Sequence, residues 1–413
     1  MIGLLLGLAW ADPLGLDEVI TAVDDRLPYV MSAEADLDAA LARALYARSA
    51  FDIGWHAEVS DLDGYYDNTR VKTYVGVESL FGPELRVGWR YGQGNFASYD
   101  KGQTLDRGEF NADLTVPITD LGRTSAQAKA RSAAFKVEAS QAKLDDVMRK
   151  ARRGAASQYW AWVRAGRELA IARDLLGRAE LRAAGLARQV EEGQVARIAW
   201  LDNEQVVASR SAKVAAAEAK LVSEAQKLGV YYRDADGEPI VPSADDLPPS
   251  GGVPLVPQLD VRSAMDIAME NRPDLQALQA SIDSAEVLLE RARRDRLPDL
   301  SAMVGVSRDV GDGEDSLMPT ALSTGLSVDG SFLWRAERAQ VRETSAVMRS
   351  LQAELRWAQD QVRAEIEGLA ARRIAAVQRW EDAQRALEIA EELLGRNPAV
   401  YIDKFQSEVT RLS

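Results

Sequence analysis

Hydrophobic and polar positions along the chain follow two rhythms. In "FDIGWHAEVS", Phe51, Ile53, Trp55, Ala57 and Val59 are apolar, with Asp52, His56, Glu58 and Ser60 between them. "LRVGWRYG" sets Leu85, Val87, Trp89 and Tyr91 against Arg86, Gly88, Arg90 and Gly92. "FNADLTVP", from Phe110, and "LSAMVGVS" and "LSTGLSVD", near Leu300 and Leu322, alternate in the same way. A period of two with one apolar face predicts strands that are wet on one side only. Taken alone, these strands fit a soluble β-sandwich as well as a membrane barrel. The second rhythm has steps of three and four, as in Leu169, Ala172, Leu175, Leu176 and Ala179, and it predicts helix. With no proline between Pro117 and Pro239, Arg123 to Gly193 is expected to form one rod. At 1.5 Å per residue that rod is ~100 Å long. Gly193 supplies a turn, and the run after it leads back.

The pattern occurs twice. "GRELAIARDLLGR", Gly166 to Arg178, returns as "QRALEIAEELLGR", Gln384 to Arg396. "LDEVITAVDDRLP" from Leu16 parallels "LDVRSAMDIAMENRP" from Leu259. "LTVPITDLGRTSAQAKARSAA" from Leu114 parallels "LSVDGSFLWRAERAQVRETSA" from Leu326. The order is the same in each half: short helix, alternating segments, long helix. Chance similarity among Ala/Leu/Arg helices would not preserve the order of unlike elements, so a tandem duplication is the economical reading. Between the halves lies a segment rich in Pro, Gly and Asp that reads as a linker.

Composition narrows the chemistry. The 413 residues contain no cysteine and a single histidine, His56, which removes disulfides, thiol catalysis and histidine-based metal sites or triads. A net charge of −14 argues against a general nucleic-acid binder. No enzymatic constellation is visible, and no cofactor is expected. Ile2 to Trp10 is apolar and is followed by the small-x-small pattern Ala9-Trp10-Ala11, so a secretory signal is expected although a positive n-region is missing. No other stretch approaches the ~18–20 uninterrupted apolar residues of a spanning helix. Half-greasy strands, too few to bury their own apolar face, point to assembly of several copies into a closed barrel. The aromatics Trp55, Tyr65, Tyr66, Tyr74, Trp89, Tyr91, Phe96 and Tyr99 crowd this region, as interfacial girdles do.

At this point the chain resembles the TolC-type outer-membrane efflux proteins (outer membrane factors). The resemblance runs from Leu16 to the C-terminus. It rests on the duplicated "LD…NRPDLQALQASIDSAE…LPDLSAMVGVS" block, the junctions "LTVPITDLGRT" and "LSVDGSFLWRA", and the turn "EEGQVARIAWLDNEQ". It implies a mainly α fold with membrane β-strands, in which internally duplicated long helical hairpins and strands contribute to a trimeric β-barrel/α-barrel channel. Its partners would be a homotrimer, a periplasmic adaptor, an inner-membrane pump and outer-membrane lipid, with no nucleic acid. The implied function is passive conduction in efflux or type I secretion, without catalysis, metal or cofactor. The family's tip turn reads roughly Gly-x-x-(Ser/Arg)-(Leu/Ile)-Asp and docks the adaptor. Gly193, Gln194, Val195, Ala196, Arg197 and Ile198 match it, while Ala199 stands in the aspartate's place. Asp202, three residues on, is the candidate tunnel gate, with a solvated surface charge as the plainer reading. The rival function is a soluble periplasmic coiled-coil scaffold or adaptor-like protein.

The expected organisation is a signal peptide at 1–11, first-repeat helices at 12–50, strands and external loops at 51–118, and a long hairpin at 119–228. A linker at 229–258, a helix at 259–297, strands at 298–330 and a second long helix at 331–413 follow. "EVTRLS", Glu408 to Ser413, aligns with "QVARIA", so this helix is expected to stop at its tip turn, with Pro398 inside it. Weaker signals read blandly. "RDADGEP", with Asp234 to Pro239, is a linker turn before it is a calcium loop, "DVGDGED" is an external loop, and "YWAWV" from Tyr159 is helix packing.

Overall fold

The computed structural model describes residues 13–97, 102–249, 260–313 and 320–396. The expected signal peptide, Tyr99, Pro398 and the second tip turn lie outside the described residues. Two short helices, α1 (Leu16–Arg26) and α2 (Pro28–Arg48), lead into four strands, β1 (Gly54–Leu62), β2 (Asn68–Glu78), β3 (Glu84–Gly94) and β4 (Glu109–Pro117). The long helix α3 (Ser125–Glu191) turns into α4 (Arg197–Gly229). The series then recurs as α5 (Val261–Asn271), α6 (Pro273–Arg294), β5 (Asp299–Asp309), β6 (Ala321–Asp329) and α7 (Arg335–Arg396).

Local chemistry sets the boundaries. Pro28 and Pro273 open α2 and α6 at the position where a missing N–H costs nothing. Thr124 caps α3 by accepting from the Gln127 amide, while the Gln127 side chain accepts from the Thr124 amide, a reciprocal capping box. The α3 rod of 67 residues spans ~100 Å. The returning α4, with 33 residues, covers half that length. The other half of α3 packs on α2 and meets α6 at Ser132 and Ser284, which share a buried hydroxyl contact at 2.9 Å.

The main core lies where α1 and α2 meet α3 and α4. Val19, Val23, Val30, Trp162 and Leu228 are essentially sealed from solvent there. The aromatic knot of α3 divides as its helical spacing requires. Tyr159, Trp162 and Val163 enter the core, Trp160 stays outside, and the Tyr159 hydroxyl donates to the Leu14 carbonyl at 2.9 Å. The expected linker also packs here. Leu247 lies against Gly166, in space that a Cβ would fill.

The described residues fall into two units, one lying within 13–249 and 276–351, the other within 260–275 and 352–396. Within the second, Arg272 joins Asp274 at 2.7 Å and Glu365 at 2.8 Å, and these partners raise its pKa.

Candidate functional site

The six strands form one antiparallel sheet in chain order, β1-β2-β3-β4-β5-β6. Its register decides which side chains share a face. Trp55 pairs with Val75, Val75 with Val87, Val87 with Ala112, Ala112 with Val306 and Val306 with Leu322. The parallel row one step on runs through Ala57, Thr73, Trp89 and Phe110. This face is therefore apolar or β-branched over most of its area, with Asp61, Gln93 and Arg308 at the end away from the helices, and it is uncovered: Trp55, Val59 and Leu322 each keep more than 70% of their area exposed.

The opposite face is polar and charged. Glu58, Lys72, Arg90, Glu109 and Asp309 form a single row across five strands, in which Arg90 is ion-paired with Glu109. His56 sits on this face, 3.8 Å from Glu58 and with its ring beside Tyr74. The aromatics divide accordingly. Trp55, Trp89 and Tyr91 are on the apolar face, Tyr74 is on the polar one, Tyr65 and Tyr66 lie in the β1–β2 turn, and Phe96 sits under the Arg70 guanidinium. Alternation alone had marked β1, β3, β4, β5 and β6. β2 escaped because Thr69 and Thr73 occupy apolar-face positions, and its signal was β-branching at every second residue. β1 also begins later than expected, since Phe51 closes a 3-10 turn over residues 49–51.

Among the described residues the sheet has two unpaired edges, β1 and β6, and every residue of both strands is exposed. At the end joined to the helices, the apolar face finishes in exposed Ile53, Leu80, Phe81, Ile118, Leu121, Leu297, Phe332 and Leu333. At the other end the β3–β4 and β5–β6 connections are laced together. The Asp312 amide donates to the Asp106 carboxylate and the Leu105 amide to the Asp309 carboxylate. The described part of "DVGDGED" thus holds a neighbouring loop. The Asp234 carboxylate accepts from the amides of Asp236 and Glu238, so "RDADGEP" closes on itself.

No protein-family model matches the chain, and no curated protein does. Solved structures do. The chain is similar to the outer membrane protein VceC from Vibrio cholerae, with 16% identity over 95% of this chain and 86% of that one, at a TM-score of 0.62. It is also similar to the Campylobacter jejuni CmeC outer membrane channel, with 15% identity over 92% and 76%, at a TM-score of 0.60. The open state of the Neisseria gonorrhoeae MtrE outer membrane channel gives 17% identity over 92% and 78%, at 0.58. The fold is that of the outer-membrane channels.

In this channel fold the α3–α4 tip carries the residues matched from sequence. Gly193 takes a left-handed backbone, φ 72°, and its amide donates to Val190 while that of Gln194 donates to Gln189. Gln194, Ala196, Arg197 and Ile198 are exposed and Val195 is partly covered, so the turn offers an open surface. Asp202 is exposed one turn further on and has no ion-pair partner among the described residues. Sequence reasoning missed its neighbour. Asn203 is buried and donates across the hairpin to the Ala179 carbonyl at 3.1 Å, pinning α4 to α3 near the tip.

Proposed function

We propose that the chain is one subunit of a homotrimeric outer-membrane channel. It passively conducts substrates out of the cell for a tripartite efflux or type I secretion system. One observation carries the reading: a sheet with one face apolar over most of its area, the other polar, and both edges open among the described residues. In lipid every backbone donor and acceptor needs a partner, so a sheet must close. Six strands curl too tightly to enclose a lumen, and closure falls to sister copies. Because β1 and β6 run in opposite directions, β6 of one copy accepts β1 of the next in antiparallel fashion. Three copies of six strands make eighteen, and at a strand spacing of about 4.8 Å and a tilt of about 40° the barrel radius is roughly 18 Å. The row containing Lys72, Arg90 and Glu109 then lines the lumen. A soluble scaffold would leave the apolar face uncovered.

The helices would continue the tube into the periplasm. The tip residues Gly193, Gln194, Val195, Ala196, Arg197 and Ile198 would receive a periplasmic adaptor that couples the channel to an inner-membrane pump. Asp202 would narrow the entrance. No bond is made or broken. The test is fractionation followed by electrophoresis without heating. The channel predicts heat-sensitive trimers in detergent-extracted outer membranes, whereas a scaffold predicts protein confined to the soluble periplasm.

A further inference from the structure

A cavity of about 280 Å³ opens beside the β2–β3 turn, and its wall contains four arginines, Arg123, Arg131, Arg291 and Arg294, together with Leu80 and Val287. The turn itself is fixed here: the Gln127 side chain donates to the Leu80 carbonyl, and the Gly122 amide to that of Phe81 at 2.7 Å. The guanidinia are only partly neutralised. Arg291 meets Asp120 and Asp295, and Arg123 and Arg294 share Glu290 at 3.6 and 3.7 Å. Arg131 has no ion-pair partner among the described residues. Four cations against three carboxylates leave one positive charge at the cavity wall. A phosphate group supplies the opposite charge, and its oxygens match the guanidinium fork of a partnerless arginine such as Arg131.

We propose that this cavity binds the phosphate of an anionic phospholipid headgroup. The lipid source rests on the channel reading, which sets this level, where the apolar strand face ends in Leu80 and Phe81, at the headgroup layer of the periplasmic leaflet. Leu80 then meets the first acyl carbons while the arginines hold the phosphate, an arrangement typical of basic pockets for lipid headgroups. The β2–β3 turn forms one wall of the site.

Calorimetric titration of the detergent-solubilised protein tests this, using short-chain phosphatidylglycerol, inorganic phosphate and a short-chain diacylglycerol that lacks phosphate. Phosphatidylglycerol is expected to saturate the protein, and R131Q to weaken it about tenfold, with R131K restoring it and R294Q acting in the same direction. Arg131 is exposed, so its replacement leaves packing intact. Binding of inorganic phosphate without the lipid would support phosphate recognition with a soluble anion as occupant. Equal binding of the diacylglycerol, or no response to R131Q, would overturn the proposal. Trimer formation and bilayer conductance are read on the same preparation. Binding without trimers leaves the site standing and removes the channel reading, while trimers that bind neither anion do the reverse.

Discussion

Gly122 and Trp334 occupy the same position in the two repeats, each at the turn from a strand into a long helix, and both hold a left-handed backbone, φ 72° and 51°. The duplication has preserved the turn while changing the residue that makes it. For an L side chain this conformation costs ~1–2 kcal/mol. Gly122 has open space around a notional Cβ, so Gly122→Ala isolates the backbone term. Urea unfolding should show a loss of about 1 kcal/mol. The same substitution at Gly177, mid-helix and also uncrowded, should gain up to about 1 kcal/mol. Two identical changes should therefore move stability in opposite directions.

The repeat also predicts where its copies are not interchangeable. Gly166 aligns with Gln384, yet only Gly166 has Leu247 packed against its backbone. Gly166→Gln imports the partner repeat's residue into filled space and should cost ~1–3 kcal/mol. Thermal unfolding would register it, and the paired variant Leu247→Ala should recover part of the loss.

At the α3–α4 tip, adjacent polar residues should behave differently. Asn203→Ala removes the tie to the Ala179 carbonyl and should lower hairpin stability by about 1 kcal/mol. Exposed Asp202→Asn should leave stability unchanged. If Asp202 constricts the entrance, this variant raises single-channel conductance in planar bilayers, and an unchanged conductance removes it as a gate.

Tyr232 donates its hydroxyl to Glu18, and burial, together with that carboxylate, pushes its pKa up to about 12. An unfolded tyrosine titrates near 10. The folded state therefore holds the proton more tightly, so the contribution is fully present below about pH 10 and is lost as pH rises towards 12. Ultraviolet titration should show late-ionising tyrosinates from Tyr232 and from Tyr159, whose pKa burial also raises, and Tyr232→Phe should remove one of them and lose less stability between pH 10 and 12.

Much of this molecule was legible from the order of its residues. Long-range periodicity exposed the duplication, and "YWAWV" read as helix packing, although which of its rings turn inward became clear only in the structure. What escaped depended on pairing between distant segments. β2 was hidden because threonine counts as polar in an alternation test yet suits an apolar sheet face. Asn203 looks like any helix-surface amide until α3 comes alongside. The turn at Trp334 could not be read because tryptophan gives no hint of a positive φ, and only its alignment with Gly122 carried that information. The arginine cavity gathers residues from α3 and α6 that lie more than 150 positions apart, so no local motif announces it.

The central claim is that the β1 edge of one copy joins the β6 edge of the next. Because the chain contains no cysteine, single cysteines can be placed without background, at Ser60 in β1 together with a scan along β6 from Leu322 to Val328. Oxidation of outer membranes and electrophoresis without reductant should give covalent dimers and closed trimers at alternate scan positions. Crosslinks only within single chains, or none in a protein recovered as a soluble monomer, would contradict the account.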